Sequence, residues 1–134
     1  MFLKSQSSQS DKKKIALTLG QLGEDFACDY LRDKGYKILD RNYRKPWGEI
    51  DIIARAPDRT LVFFEIKTMI ENPGGLAPED QLTQAKLGKL QKTAQLYTGH
   101  YPEKVEDTKG WRIDLLAITM GTDNEPRVVQ YENI

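Results

Sequence analysis

Asp51, Glu65 and Lys67 are the residues whose types and spacing suggest chemistry. They lie in two β-rich runs, Glu49 to Ala54 and Leu61 to Lys67, joined by RAPDRT, whose Pro-Asp pair favours a tight reversal. Side chains alternate faces along a strand, so Glu49, Asp51 and Ile53 share one face, and Glu65 and Lys67 share a face of the next run. Pairing Ala54 with Val62 sets Asp51 across from Glu65 and Glu49 across from Lys67. Carboxylates directly opposite one another repel, and inside apolar segments an unpaired charge is costlier still. A divalent cation relieves both, since hard oxygen donors suit Mg²⁺ or Mn²⁺. Lys67 projects from the same face as Glu65, where it can neutralise charge developing on a phosphate or orient an attacking water.

The elements around these runs must hold them in place. From Leu19 to Lys34 the residues Leu19, Leu22, Phe26 and Tyr30 follow a helical period, Ala27 and Leu31 widen the stripe, and Gly35 ends it. Glu24 borders that stripe, where it either overhangs the sheet and binds a water of the metal's shell or stands as a solvated flank residue. A strand over Tyr36 to Asn42 follows, then a loop containing Pro46 and Gly48. The breaker-rich ENPGGLAP, residues 71–78, is a loop whose Gly74-Gly75 would let it close over substrate. A second helix, about Glu79 to Thr98, carries Leu87, Leu90, Ala94 and Tyr97 at helical spacing and closes at Gly99, His100 and Tyr101-Pro102. Arg112 to Thr119 reads as a buried strand and Arg127 to Tyr131 as an edge strand. The order α-β-β-β-α-β-β, a hairpin followed by a helical crossover, implies an α/β fold with a mixed sheet flanked by helices.

The chain of 134 residues is 39% hydrophobic and 30% charged, which fits one domain. Residues 1–14, with KSQSSQSDKKK over 4–14, read as a disordered tail, and 15–134 as the domain. Twenty basic and twenty acidic residues cancel. That balance excludes the class that holds nucleic acid by bulk positive charge, so phosphate binding must come from local patches. The single cysteine, Cys28, can form neither an internal disulfide nor a zinc site alone. No apolar run reaches the roughly 18 residues of a membrane helix, and the N-terminus lacks a secretory core, so the expected location is the cytoplasm without membrane attachment.

The run Gly48-Glu49-Ile50-Asp51-Ile52-Ile53-Ala54 followed by Phe63-Phe64-Glu65-Ile66-Lys67 resembles the PD-(D/E)xK nuclease core. With Gly20, Gly23-Glu24, Arg41-Asn42-Tyr43-Arg44, Lys86, Ala94 and Arg112-Ile113-Asp114, the chain is similar to the YraN-like bacterial family of predicted endonucleases, distant relatives of archaeal Holliday-junction resolvases. The resemblance implies a restriction-endonuclease-like fold and an Mg²⁺- or Mn²⁺-dependent endonuclease acting on DNA, branched or junction DNA included. It implies that Asp51, Glu65 and the Ile66 carbonyl hold the metal, that Lys67 orients the nucleophilic water, and that Glu24 holds a second ion or a water of the first. Two positions depart from the pattern. Ile50 replaces the proline of the PD element, and Met69 stands where the family commonly has Arg.

Other residues carry weaker signals. Lys37, Arg41, Arg44 and Lys45, interleaved with Tyr43 and Trp47, suit phosphate contact and base stacking, and equally suit a plain surface loop. Lys86, near a helix start, is a candidate phosphate contact, whereas Lys89 and Lys92 read as a solvated face. Glu49 is either accessory to the site or solvated. Asp114 reads as a partner of Arg112 or of a backbone group, and His100 as non-catalytic. The rival to an enzyme is a nucleic-acid-binding or adaptor module on the same fold. A third class is a structural domain that pairs through its edge strand near Arg127 to Tyr131. Two-fold junction substrates would suit a homodimer.

Overall fold

A computed structural model describes residues 9–71, 82–121, 123 and 125–134. In chain order the elements are α1 (Gln9–Asp33), β1 (Lys37–Lys45), β2 (Gly48–Arg55), β3 (Leu61–Ile70), α2 (Gln84–His100), a short 3₁₀ turn (Pro102–Lys104), β4 (Trp111–Met120) and β5 (Pro126–Tyr131). Among the described residues the strands form one five-stranded sheet in the order β1-β2-β3-β4-β5. The β3–β4 pair is parallel and the other neighbours are antiparallel. This is the mixed α/β architecture and element order that the hairpin and crossover imply. The expected Ala54–Val62 register is also the one observed.

Alternation along the central strands feeds two cores. Ile52, Ala54, Val62 and Phe64 pack with Ala27 and Leu31 of α1, and Ile53, Leu61 and Phe63 pack with Leu90, Ala94 and Tyr97 of α2. Thr83 caps α2 by accepting from the Lys86 N–H at 3.2 Å, so the helix starts at Gln84, and Leu82 and Thr83, expected to be helical, precede it; residues 79–81 and the 72–78 portion of the loop with Gly74-Gly75 lie outside the described residues. Among the described residues no helix is long and apolar enough to cross a membrane.

Three other features differ from what the sequence implies. The backbone of 9–14 is helical, because Gln and Lys sustain a helix without an apolar stripe; residues 1–8 of the expected tail lie outside the described residues. The α1 stripe is also rotated. Leu22 is 55% exposed while Gly23, Ala27 and Leu31 are buried, since at Gly23 a Cβ would collide with the Thr68 side chain of β3. A bare backbone there lets the helix settle closely on the sheet. Finally, β1 runs on to Lys45, and Pro46-Trp47 is a tight turn between Lys45 and Gly48 instead of a longer loop.

Candidate functional site

The β2–β3 ladder runs from Arg55–Leu61 to Ile52–Phe64 and ends there. Extended further, it would set Asp51 across from Glu65 and Ile50 across from Ile66. The Ile66 N–H instead donates to Asp51 Oδ2 at 2.8 Å. A carboxylate thus replaces the carbonyl that a continued ladder would supply. In a strand residue the N–H and C=O point to the same edge, so the Ile66 carbonyl faces the same gap. Meanwhile β3 stays paired to β4 as far as Ile70–Met120, so one wall of the fork is held and only β2 diverges.

Strict alternation fails at this point. Ile50 and Ile53 belong to the same core beneath α2, while Ile52 lies in the core beneath α1. Asn42 falls opposite Asp51, between the pairs Arg41–Ile52 and Tyr43–Ile50, with φ of 53°. Asn tolerates this left-handed conformation better than most residues, and it turns the end of the β1–β2 hairpin relative to its base. The expectation that Glu49, Asp51 and Ile53 share a face is therefore corrected. Asp51 lines a cavity of about 740 Å³ on the α1 side with Glu24, Arg41, Asn42 and Arg44. Glu65 lines another, of about 410 Å³, on the α2 side. Lys67 lines both.

The two acids still feel each other. Burial, then the Glu65 charge, push the Asp51 carboxyl from 3.8 up to about 7 against the opposing pull of the Ile66 N–H, with Glu24 and Glu49 adding to the rise. Lys67 Nζ lies 3.2 Å from Glu65 Oε1, both side chains being largely buried. From α1, Glu24 overhangs the fork with a side chain only 15% exposed, more enclosed than a solvated flank residue. Its Oε1 lies 3.7 Å from Arg41 Nε, and neither atom has a hydrogen-bond partner. Arg41 Nη2 is bonded to Asp25 Oδ1 at 2.7 Å.

The donor set is of the chemical type that a hard divalent cation takes, with Asp51 and Glu65 lining cavities on different sides of the sheet. Asp51 and Glu65 offer oxygen donors, the Ile66 carbonyl faces the gap, and the buried Glu24 Oε1 lacks a donor. Among the described residues, no three His, Cys, Asp or Glu side chains stand together as a ready cluster. Glu24 is engaged with Arg41 rather than with the other two acids.

The remaining candidates divide. Arg44 and Glu49 form an exposed pair at 3.7 Å, a contact worth little, although Arg44 lines the α1-side cavity and Glu49 the α2-side one. Lys45 and Lys86 line the α2-side cavity, and so does Lys89, which is exposed as expected of a solvated face. The signal for its place at the cavity was the three-residue spacing from Lys86, which keeps both on one side of the helix. Tyr43 is buried against Tyr97, ring centroids 5.2 Å apart, and is not offered for stacking. Trp47 at the turn is exposed. Asn42 enters the sequence analysis only as part of the Arg41-Asn42-Tyr43-Arg44 run, because its role depends on a backbone angle. Away from the fork, buried Asp114 accepts from Arg112 Nε (3.0 Å), Gln130 Nε2 (3.0 Å) and Asn133 N–H (2.9 Å), as its structural reading expects.

Fold and site together define a mixed α/β protein whose sheet forks at two acids and a lysine. The family model described as "Uncharacterised protein family UPF0102" matches residues 23–118, and the chain belongs to that family. It is 44% identical over 84 residues to a UPF0102 protein of Syntrophomonas wolfei, covering 63% of this chain and 71% of the relative. A UPF0102 protein of Dictyoglomus thermophilum is 38% identical over 102 residues, 76% of this chain and 82% of its own. One from Mycobacterium bovis is 35% identical over 125 residues, 92% of this chain and 94% of its own. The matched span opens at Gly23, one residue before Glu24, and contains every fork residue.

Proposed function

We propose that this protein is a divalent-cation-dependent phosphodiesterase of the PD-(D/E)xK type, cutting nucleic acid and DNA in particular. The observation that carries the reading is the fork, where the β2–β3 ladder stops one residue short of Asp51 and Glu65 while Lys67 reaches both flanking cavities. Asp51, Glu65 and the Ile66 carbonyl would hold Mg²⁺ or Mn²⁺. When bound, such an ion supplies Lewis-acid polarisation of a phosphoryl oxygen and a more acidic water. The chain's own groups do the rest. The Ile66 N–H fixes the Asp51 carboxylate in the gap, and Glu65 holds the Lys67 ammonium. That ammonium meets charge developing on the phosphate in a partly desolvated place, where it acts more strongly than in water. Glu24, overhanging from α1, would hold a water of the ion or a second ion once released from Arg41.

A nucleic-acid-binding module without turnover is the second reading. It draws on the engagement of Glu24 with Arg41, which leaves two acids rather than three at the fork. Cleavage of linear, nicked and branched DNA in Mn²⁺, by wild type and Lys67→Ala prepared identically, separates the two. Wild type should cut, and the variant should be slower by about two to three powers of ten, the loss seen when a transition-state donor is removed. Equal degradation by both proteins assigns the activity to a contaminant. No cleavage by wild type, together with no calorimetric heat of Mn²⁺ binding, removes the hydrolase reading.

A further inference from the structure

Two cavities flank the fork, one beneath each helix, and the tip of the β1–β2 hairpin stands between them. The α2-side cavity, of about 410 Å³, is lined by Lys45, Lys67, Lys86 and Lys89 against Glu49 and Glu65. Its volume falls within the range of ligand sites, about 300–1,000 Å³. Among the described lining residues four lysines stand against two carboxylates, so positive charge is in excess there although the whole chain is neutral. At Gly48 a Cβ would collide with the Thr93 side chain, so the bare backbone seats the hairpin tip directly on α2. Arg44 and Lys45, neighbours in sequence, line opposite cavities. Trp47, at the turn between them, is 38% exposed. The other tryptophan, Trp111, packs edge-on against Phe63.

From this juxtaposition we infer that the protein takes its nucleic acid as a single strand crossing the hairpin tip. Phosphates enter the lysine-lined cavity, a base stacks on Trp47, and the neighbouring linkage lies at the fork. Only the last of these rests on the phosphodiesterase reading. Duplex DNA is stiff over about 50 nm and cannot turn around a tight reversal into cavities on opposite sheet faces. A single strand bends readily and presents unstacked bases to an aromatic ring. Ammonium–phosphate contacts carry no sequence information, so selectivity is for an unpaired segment and not for a particular sequence. The substrate class is therefore single strands, or duplexes bearing a single-stranded segment.

Binding is tested on the full chain in EDTA, where no cleavage intervenes. The probes are labelled twelve-residue oligodeoxyuridylate and oligouridylate and a duplex of equal length, read by anisotropy and by intrinsic tryptophan fluorescence. Single strands should bind at least about tenfold tighter than the duplex and quench tryptophan emission, as expected for aromatic stacking. Trp47→Ala should weaken binding by about tenfold, and Trp47→Phe should keep most of the affinity while losing the quench. The Lys45→Glu, Lys89→Glu double variant should weaken binding by more than about tenfold and flatten its salt dependence. A tenfold preference between the two strands identifies the sugar of the partner and supports the inference either way. Duplex binding as tight as single-strand binding, or quenching unchanged in Trp47→Phe, overturns it. Single-strand binding without any cleavage in Mn²⁺ removes the phosphodiesterase reading and leaves the inference standing. Cleavage of continuous duplex as fast as of flapped duplex does the reverse.

Discussion

Asp51 and Asp114 both sit on strands beside the core beneath α1, yet among the described residues one accepts a single backbone hydrogen bond and the other accepts three. Asp114 is fully buried and receives Arg112, Gln130 and the Asn133 N–H, while Tyr36 accepts in turn from Arg112 and Gln130 at 3.0 and 3.1 Å. This network ties β4 and β5 to the chain leaving α1. Asp51 receives the Ile66 N–H and faces the negative charge of Glu65. A buried acid with its donors in place stabilises a fold; one held near a like charge lowers stability and keeps a demand for a cation. Sites that act on a ligand commonly carry such a cost.

The contrast can be broken by substitution. Asp114→Ala should lose the most, about 3–5 kcal/mol in urea unfolding, because Arg112, Gln130 and the Asn133 N–H lose their shared buried acceptor and Arg112 keeps only the exposed Glu132 as a carboxylate. Asp51→Asn should have the opposite sign. The folded-state value of about 7 lies above the ordinary 3.8, so the folded chain binds this proton more tightly than the unfolded chain does. Stability from this group is complete below the ordinary value and is lost as the pH rises towards 7. Asp51→Asn should therefore be more stable than wild type at pH 8 in EDTA, by on the order of 2–4 kcal/mol. The two should coincide near pH 4. Thermal melts across that window check both ends, and a variant less stable than wild type at pH 8 would place Asp51 with Asp114 as a structural acid.

Mn²⁺ sharpens the same comparison. At a hundred times its dissociation constant it should stabilise wild type by about 2.7 kcal/mol, more at pH 8 than at pH 5, where protonated Asp51 competes. The shift should vanish in Asp51→Asn. Two glycines of α1 supply the smallest effects. Gly23→Ala, forced against Thr68 beneath the fork, should cost about 1–3 kcal/mol. Gly20→Ala meets nothing within 4 Å and should gain about 0.8–1 kcal/mol from helix propensity alone. Equal melting temperatures for the two variants would show that α1 does not rest on β3 through Gly23.

Much of the fold was open to a reader of the chain. The β2–β3 hairpin followed from alternation and the Pro-Asp turn, its Ala54–Val62 register was a supposition that the structure matches, and the crossover followed from the helical spacing of Leu90, Ala94 and Tyr97. Both signals are local, and the burial of one face enforces them. Gly23 and Leu22 misled because a helical stripe identifies a hydrophobic side but not which part of it reaches the sheet; that depends on where the smallest residue meets a partner. Lys89 is exposed, as its solvated-face reading expects; that it also borders a cavity depends on the neighbours that enclose it.

By itself the sequence determined the candidate chemistry: two acids and a lysine at strand spacing, with one more acid on a helix flank. Residue type and period two or 3.6 are written in the chain. The tertiary structure decided how those groups face one another. The left-handed Asn42 and the early end of the β2–β3 ladder turn Asp51 away from the Ile53 face and set it against the Ile66 N–H. Alternation assumes an unbroken ladder, and the place where two strands part depends on every surface that pulls on them.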